Sequence, residues 1–451
     1  MILRAPVQRA WLAARPQLAD VLVWSTLVTG GFALTALAVA VDARVGVGAA
    51  PFTGHYDLRA RPATVLAIAI AAGLIVAVGA GLFEKLAFRW VLLLGWAGCS
   101  AWTLALGGAQ RGGLGAALRA PDGYLSDAGT VHGHVGSFLR TFVHDAPSYS
   151  PAARTHPPGA LLVVVLLRDA GLRGATALEV ALVLFSALTV PAVAVATRSL
   201  CHGRAGRRVV PMLALAPWWM WAPLTLDGVA AAVSAIGIAC GVVASERERS
   251  AATQRLLTAV GGLCLGAAAM VSYPTAWIGV AVVAVCFVRR RPLLIVLTAV
   301  WGLVPLALAR IAGFTWADGL AVAQRDVSDR LGPHRSWPLW GLLDLVLLLV
   351  IAGPAVIAAT RGTARTPGWP FLVGVGTAIV FAVAAGLARG EVERSWIPYA
   401  PWLLVPAVAP LVRPADSPDP DAPDATPTPL LLMIVGAVAT VVLRTVVQPS
   451  I

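Results

Sequence analysis

Between Val21 and Val447 the chain is a succession of uncharged apolar runs, separated by short polar connections rich in arginine. At about 20 residues per bilayer crossing, the runs predict helices at 20–41, 63–81, 91–108, 176–196, 209–223, 226–244, 256–271, 274–288, 293–311, 341–359, 369–387, 396–412 and 429–447. That is about 13 spans, each a helix because only a helix satisfies its own backbone hydrogen bonds where water is absent. The expected fold class is therefore all-α and polytopic. Its parts are N-terminal spans in 1–90, a core over 91–412 with a long polar insertion at 109–175, a linker at 413–428 and a last helix in 429–451. The linker is rich in Pro and Asp and cannot form a packed core.

One apolar stretch resists this scheme. Residues 157–167 open with Pro157, Pro158 and Gly159 and are too short to cross. A re-entrant or surface-lying helix is expected there. The run at 20–41 is too long for the core of a cleaved signal peptide, so a retained first helix is expected.

Orientation follows from the charges. With the N-terminus inside, Lys85, Arg89, Arg198, Arg204, Arg207, Arg208, Arg247, Arg249, Arg255 and Arg289 to Arg291 all fall in cytoplasmic loops. Segments 42–62, 109–175 and 312–340 then lie outside. Those segments hold six of the seven histidines.

Composition removes whole classes. Hydrophobic residues make up 58% of the 451 and charged residues 12%. Soluble domains are about 25% charged, so a water-soluble globule is excluded. The net charge of +12 does not call for nucleic acid, because the arginines sit in short loops between spans. Cys99, Cys201, Cys240, Cys264 and Cys286 form no CxxC pair, which disfavours a disulfide framework or a cysteine metal site. The Ala, Gly, Val and Arg bias with a single lysine, Lys85, suggests a high-GC bacterial genome such as that of an actinobacterium.

The densest candidate chemistry lies between Ala120 and Leu162. An acid pair, Asp122 and Asp127, follows a membrane helix. Then come His132, His134, His144 and Asp145, and the corner Thr155-His156-Pro157-Pro158-Gly159. Further candidates are Asp227, at the mouth of a helix, and the run Arg389-Gly390-Glu391-Val392-Glu393-Arg394-Ser395-Trp396. The third helix, the acid-opened outer loop and the HPPG corner leading into a short apolar helix resemble the first catalytic loop of GT-C glycosyltransferases. These polytopic enzymes move a sugar from a polyprenyl-phosphate carrier to an acceptor across the membrane. Asp227 and the 389–396 run extend the resemblance over roughly 91–400, although PDG stands where an Asp-Glu or Asp-Asp pair is common.

The resemblance implies a polyprenyl-phosphate-linked sugar as donor, an acceptor in the cell envelope, membrane lipids as surroundings and an extracytoplasmic site. Glycosyl transfer needs a carboxylate to take the acceptor's proton and cations beside the leaving phosphate. Asp122 or Asp127 suits the first task. His156, Asp227, Arg389, Glu391, Glu393 and Arg394 are candidates to bind substrate.

Each residue also has a plainer reading. Asp122 can start a Pro-Asp-Gly turn, Asp127 can cap a helix, and Asp227 can favour a helix N-terminus. The 389–394 charges can neutralise one another at the surface. The loop histidines can be solvated or can hold a divalent metal, and no zinc spacing is present; the cofactor stays unknown. Trp316, Trp337 and Trp340 suit either a sugar face or an interfacial belt. A transporter or flippase is the alternative function, although the spans are nearly free of charge and no repeat is visible. An inactive scaffold of the same fold is another.

Overall fold

The structure, a computed structural model, describes residues 4–41, 43–47, 50–363, 366–409 and 429–449, with the side chains of residues 4–14 left aside. The linker expected at 413–428 lies outside the described residues. The chain is all-helical and polytopic in build. Among the described residues, sheet is confined to β1 (Gly54–Tyr56), paired antiparallel with β2 (Val447–Pro449) so that His55 faces Gln448.

Six helices among the described residues are long and apolar enough to cross a membrane: Arg15–Ala40, Pro62–Gly79, Phe88–Gly108, Ala175–Leu200, Asp227–Ala244 and Pro292–Ile311. A seventh candidate is the pair Trp337–Ala352 and Ala355–Gly362, bent by 101°. The break falls at Gly353 and Pro354, where a left-handed glycine and a proline end the first helix together. The expected spans at 256–271, 274–288, 369–387 and 429–447 hold the helices Ala251–Ala269, Val280–Val288, Trp369–Ala384 and Leu430–Val446, and two others take different forms. Residues 209–223 become the end of the helix Gly203–Ala214 and two 3-10 turns, each with a proline in its first positions (Pro217, Pro223). Residues 396–412 hold the single-turn helices Ala400–Leu403 and Val405–Val408. Proline removes the N–H that would continue each helix.

Asp227–Ala244 is the innermost of the candidate spans, with 78% of its apolar window buried, and Pro292–Ile311 is the most peripheral, with 17%. Leu293, Val296, Val300, Leu303 and Ile311 accordingly lie exposed along the outer helix. A face of this kind is costly in water and suits lipid.

Segment 109–175 builds a helical cap with its own hydrophobic cluster, including Tyr124, Phe138, Phe142, Leu161, Val164 and Phe314. Phe142 stacks on Tyr149 and meets Phe138 and Phe314 edge-on. The 157–167 stretch is the helix Pro158–Asp169, 12 residues long. At about 1.5 Å per residue it reaches about 18 Å, short of the ~30 Å hydrocarbon layer, and it spends its apolar face on the cap. The cap sits over the N-terminus of the central helix. At the opposite end of that helix, Arg89, Arg198, Arg247, Arg249, Arg289 and Arg290 line one recess. There Arg289 donates to the carbonyls of Val242 and Ser199 at 2.8 and 2.6 Å, closing two helix C-termini with a cation.

Candidate active site

The HPPG corner places His156. Pro157 is extended and Pro158 begins the next helix, where its missing N–H costs nothing. Gly159 lies so close to Met270 that a Cβ would meet its carbonyl oxygen at 2.2 Å, so only glycine permits this approach. The ring of His156 is thereby held between two acceptors: Nδ1 is 3.0 Å from the Ala152 carbonyl and Nε2 is 3.3 Å from Oδ2 of Asp227. Thr155 Oγ1 also lies 3.3 Å from Nδ1 but donates its hydrogen to the Pro151 carbonyl at 2.8 Å, so no neighbour donates to the ring and the arrangement matches its doubly protonated form. Burial pushes the histidine pKa down, but the Asp227 charge and the bonds to Asp227 and Ala152 outweigh it. The proton is therefore held above the usual range.

Asp227 opens the central helix, where a carboxylate is favoured by the helix dipole. It is 1% exposed. Thr225 Oγ1 donates to its Oδ2 at 2.7 Å, and Oδ1 has no hydrogen-bond partner among the described residues.

The 389–395 loop brings the third group. Gly390 takes φ +88°, and a Cβ there would meet the Arg335 guanidinium and the Trp340 ring, each at 2.7 Å. Its N–H donates to Asp344 Oδ1 at 3.0 Å, and Arg335 donates to the Arg389 carbonyl at 2.5 Å. Glu391 follows in a left-handed conformation, with φ at 66°. That is strained backbone for a residue with a Cβ. This tight turn aims Glu391 and Arg394 at each other, 3.1 Å apart. Burial would raise the Glu391 pKa, but Arg394, Arg335 and Arg330 outweigh it and hold the carboxyl below its ordinary range. Arg394 stays charged, because Glu391, Glu393 and Asp227 offset its burial.

These pieces meet in a cleft of about 200 Å³ under the cap. Asp122, His156, Asp227, Glu391 and Arg394 of the expected residues line it, joined by Tyr124, Thr225, Arg330 and Ser395. Arg330 is presented by Asp326, which holds it at 2.7 Å and pairs with Arg154 of the cap at 3.1 Å. The i, i+4 spacing of Asp326 and Arg330 on one helix was the available signal for that arginine. Asp122 is exposed at the rim, and with Leu224 it also borders a second cleft of about 270 Å³.

Three expected residues stand elsewhere. Asp127 is buried and accepts from the Ser150 N–H at 3.0 Å, fixing the turn before Pro151–Arg154. Glu393 is fully buried and accepts from the Thr53 hydroxyl at 2.6 Å and its N–H at 3.1 Å, so it ties the loop to the segment before β1. Arg389 lies beside Gly332, away from the cleft lining. The cap histidines do not converge. His132 pairs with Asp169 at 2.7 Å, and no group of three or more His, Cys, Asp or Glu side chains able to hold a metal occurs among the described residues.

The fold and cleft define a membrane-type helical bundle with a charged, capped pocket at one end. No protein family matches the sequence, and no curated protein does. Among solved structures, the chain is similar to ArnT from Cupriavidus metallidurans. The match to its apo state has 19% identity and a TM-score of 0.37, covering 60% of this chain and 54% of that one. The match to its complex with undecaprenyl phosphate has 17% identity and a TM-score of 0.40, covering 74% and 60%. The chain thus spans less than two thirds of the length of either.

Proposed function

We propose that the protein is an integral membrane glycosyltransferase that takes a sugar from a polyprenyl-phosphate donor and delivers it to a cell-envelope acceptor. The observation that carries this reading is the placement of Asp122. It is an exposed carboxylate on the rim shared by two clefts, and one of them holds Arg394, Arg330 and His156. A base belongs between acceptor and donor, and cations belong beside the leaving phosphate.

In this mechanism the donor's phosphate lies against Arg394 and His156 in the first cleft. The acceptor hydroxyl approaches from the rim and Asp122 takes its proton. The hydroxyl oxygen forms the new bond to the anomeric carbon. The bond from that carbon to the phosphate oxygen breaks, and the phosphate leaves with the electron pair. It needs no proton, so one carboxylate suffices. Asp227 keeps His156 charged and oriented. Glu391 holds Arg394 in place until the phosphate enters. The arginine-lined recess at the other end supports a plasma-membrane topology with that end and the N-terminus cytoplasmic and the cap extracytoplasmic.

The test is transfer by the purified protein in nanodiscs, offered a panel of radiolabelled polyprenyl-phosphate sugars and envelope extracts. Turnover of one donor, lost in Asp122→Asn with donor binding kept, is expected. Absence of donor binding to the wild-type protein overturns the reading.

A further inference from the structure

The second cleft is built around a buried cation with unused donors. Arg444, in the last turn of the helix Leu430–Val446, is 1% exposed. Its Nη2 donates to Gln448 Oε1 at 2.8 Å. Its Nε and Nη1 have no hydrogen-bond partner among the described residues. A guanidinium placed only for packing or helix capping would have its donors spent on carbonyls, because a buried charge without partners is strongly unfavourable. Here two donors are held in reserve within the wall of a cleft of about 270 Å³, reached once the side chain turns outward. That is room for several waters at ~30 Å³ each.

The rest of the lining has the same character. Gln110, Arg111, His55 and Gln448 line the cleft with Arg444, with Asp122 at the border toward the first cleft. Their positions are set by backbone. The β1–β2 ladder sets His55 opposite Gln448, and it continues through the N–H groups of Asp57 and Arg59 to the carbonyls of Val446 and Thr445 at 2.9 and 2.8 Å. Gln448 Oε1 also accepts the Arg111 N–H at 3.2 Å, so one amide fixes both arginines to one wall. Donors converging from several directions fit a tetrahedral oxyanion better than a planar one.

We infer that Arg444, Arg111, His55 and Gln448 form a second oxyanion subsite that takes a phosphate group. Because it adjoins the first cleft at Asp122, it is placed to hold an anionic group of the acceptor; that last step rests on the transfer reading above.

The experiment uses the full chain in phosphatidylcholine nanodiscs, titrated with inorganic phosphate and followed by ³¹P line broadening. Wild-type protein is expected to bind phosphate with an affinity that falls about tenfold in Arg444→Gln. Arg111→Gln, a change at an exposed side chain that leaves the fold alone, is expected to weaken it several-fold. The same titration in nanodiscs doped with phosphatidic acid separates the sources. Displacement of phosphate from the Arg444-dependent site supports a lipid headgroup as ligand, and undisturbed binding supports a water-borne phosphate. Wild-type affinity in both arginine variants overturns the subsite. Donor turnover read in parallel separates the two proposals. Arg444-dependent binding without turnover of any donor sinks the transfer reading and leaves the subsite, whereas turnover with phosphate binding indifferent to both arginines sinks the subsite alone.

Discussion

The imidazole of His156 and the carboxylate of Asp227, 71 positions apart, meet at 3.3 Å at the junction of cap and central helix. The carboxylate is the main reason that a half-buried ring holds its proton more tightly than usual. The pair's contribution to stability is complete below the ordinary histidine pKa and fades as pH rises through the elevated folded value. In Asp227→Asn, only the Ala152 bond is left to oppose burial, and the His156 pKa should fall. Histidine ring NMR as a function of pH reads this directly, and an unchanged titration would refute the pairing.

Asp122→Asn and Asp127→Ala should fail in different ways. The first should lower turnover by about 10²–10⁴-fold, the usual worth of a general base, with the melting temperature kept. The second loses a charge-assisted bond to the Ser150 N–H. It should cost about 1.5–3 kcal/mol of stability, with donor affinity reduced only as far as the cap loosens. Thermal unfolding and transfer assays on the two variants check both halves.

Glu393 is predicted to limit stability at neutral pH. Burial raises its pKa beyond what Arg394 and the Thr53 bonds restore. The folded state therefore holds that proton more tightly than the unfolded chain, and stability falls as pH rises from the ordinary glutamate pKa through the raised one. Glu393→Gln keeps an oxygen for Thr53 and removes the titration, so its melting temperature should depend less on pH across that window.

Much of the cleft could be read from residue types alone, since Asp122, His156, Asp227, Glu391 and Arg394 are polar groups beside long apolar runs. Their partition between chemistry and support could not. Glu391 and Glu393 differ by two positions, yet the left-handed turn at Gly390–Glu391 sends one into the cleft and the other toward Thr53, 340 positions away. Such a turn has no hydropathy signature. The same limit applies to the spans: apolar length marks membrane helices well, but prolines inside 209–223 and 396–412 break runs that hydropathy treats as continuous. Arg444 reads in sequence as a basic last turn of a membrane helix, and only the β1–β2 pairing reveals that it faces a cleft.

Gly390→Ala should unseat that turn. The new methyl has no room against Arg335 and Trp340. The left-handed backbone adds strain, for a loss of about 1–3 kcal/mol. Because Glu391 and Arg394 move with the turn, donor affinity should fall together with stability. Calorimetry and donor binding on the same preparation check this, and a stable variant that binds donor normally would contradict the assigned geometry.

The β1–β2 ladder imposes an order on biogenesis. Residues 447–449 leave the ribosome nearly four hundred positions after 54–56, so the wall carrying His55 waits, edge unpaired, while the intervening helices insert. The second cleft closes only when the strand after Leu430–Val446 arrives. A chain paused in mid-synthesis would carry Asp122 and His55 without the strand that closes the second cleft.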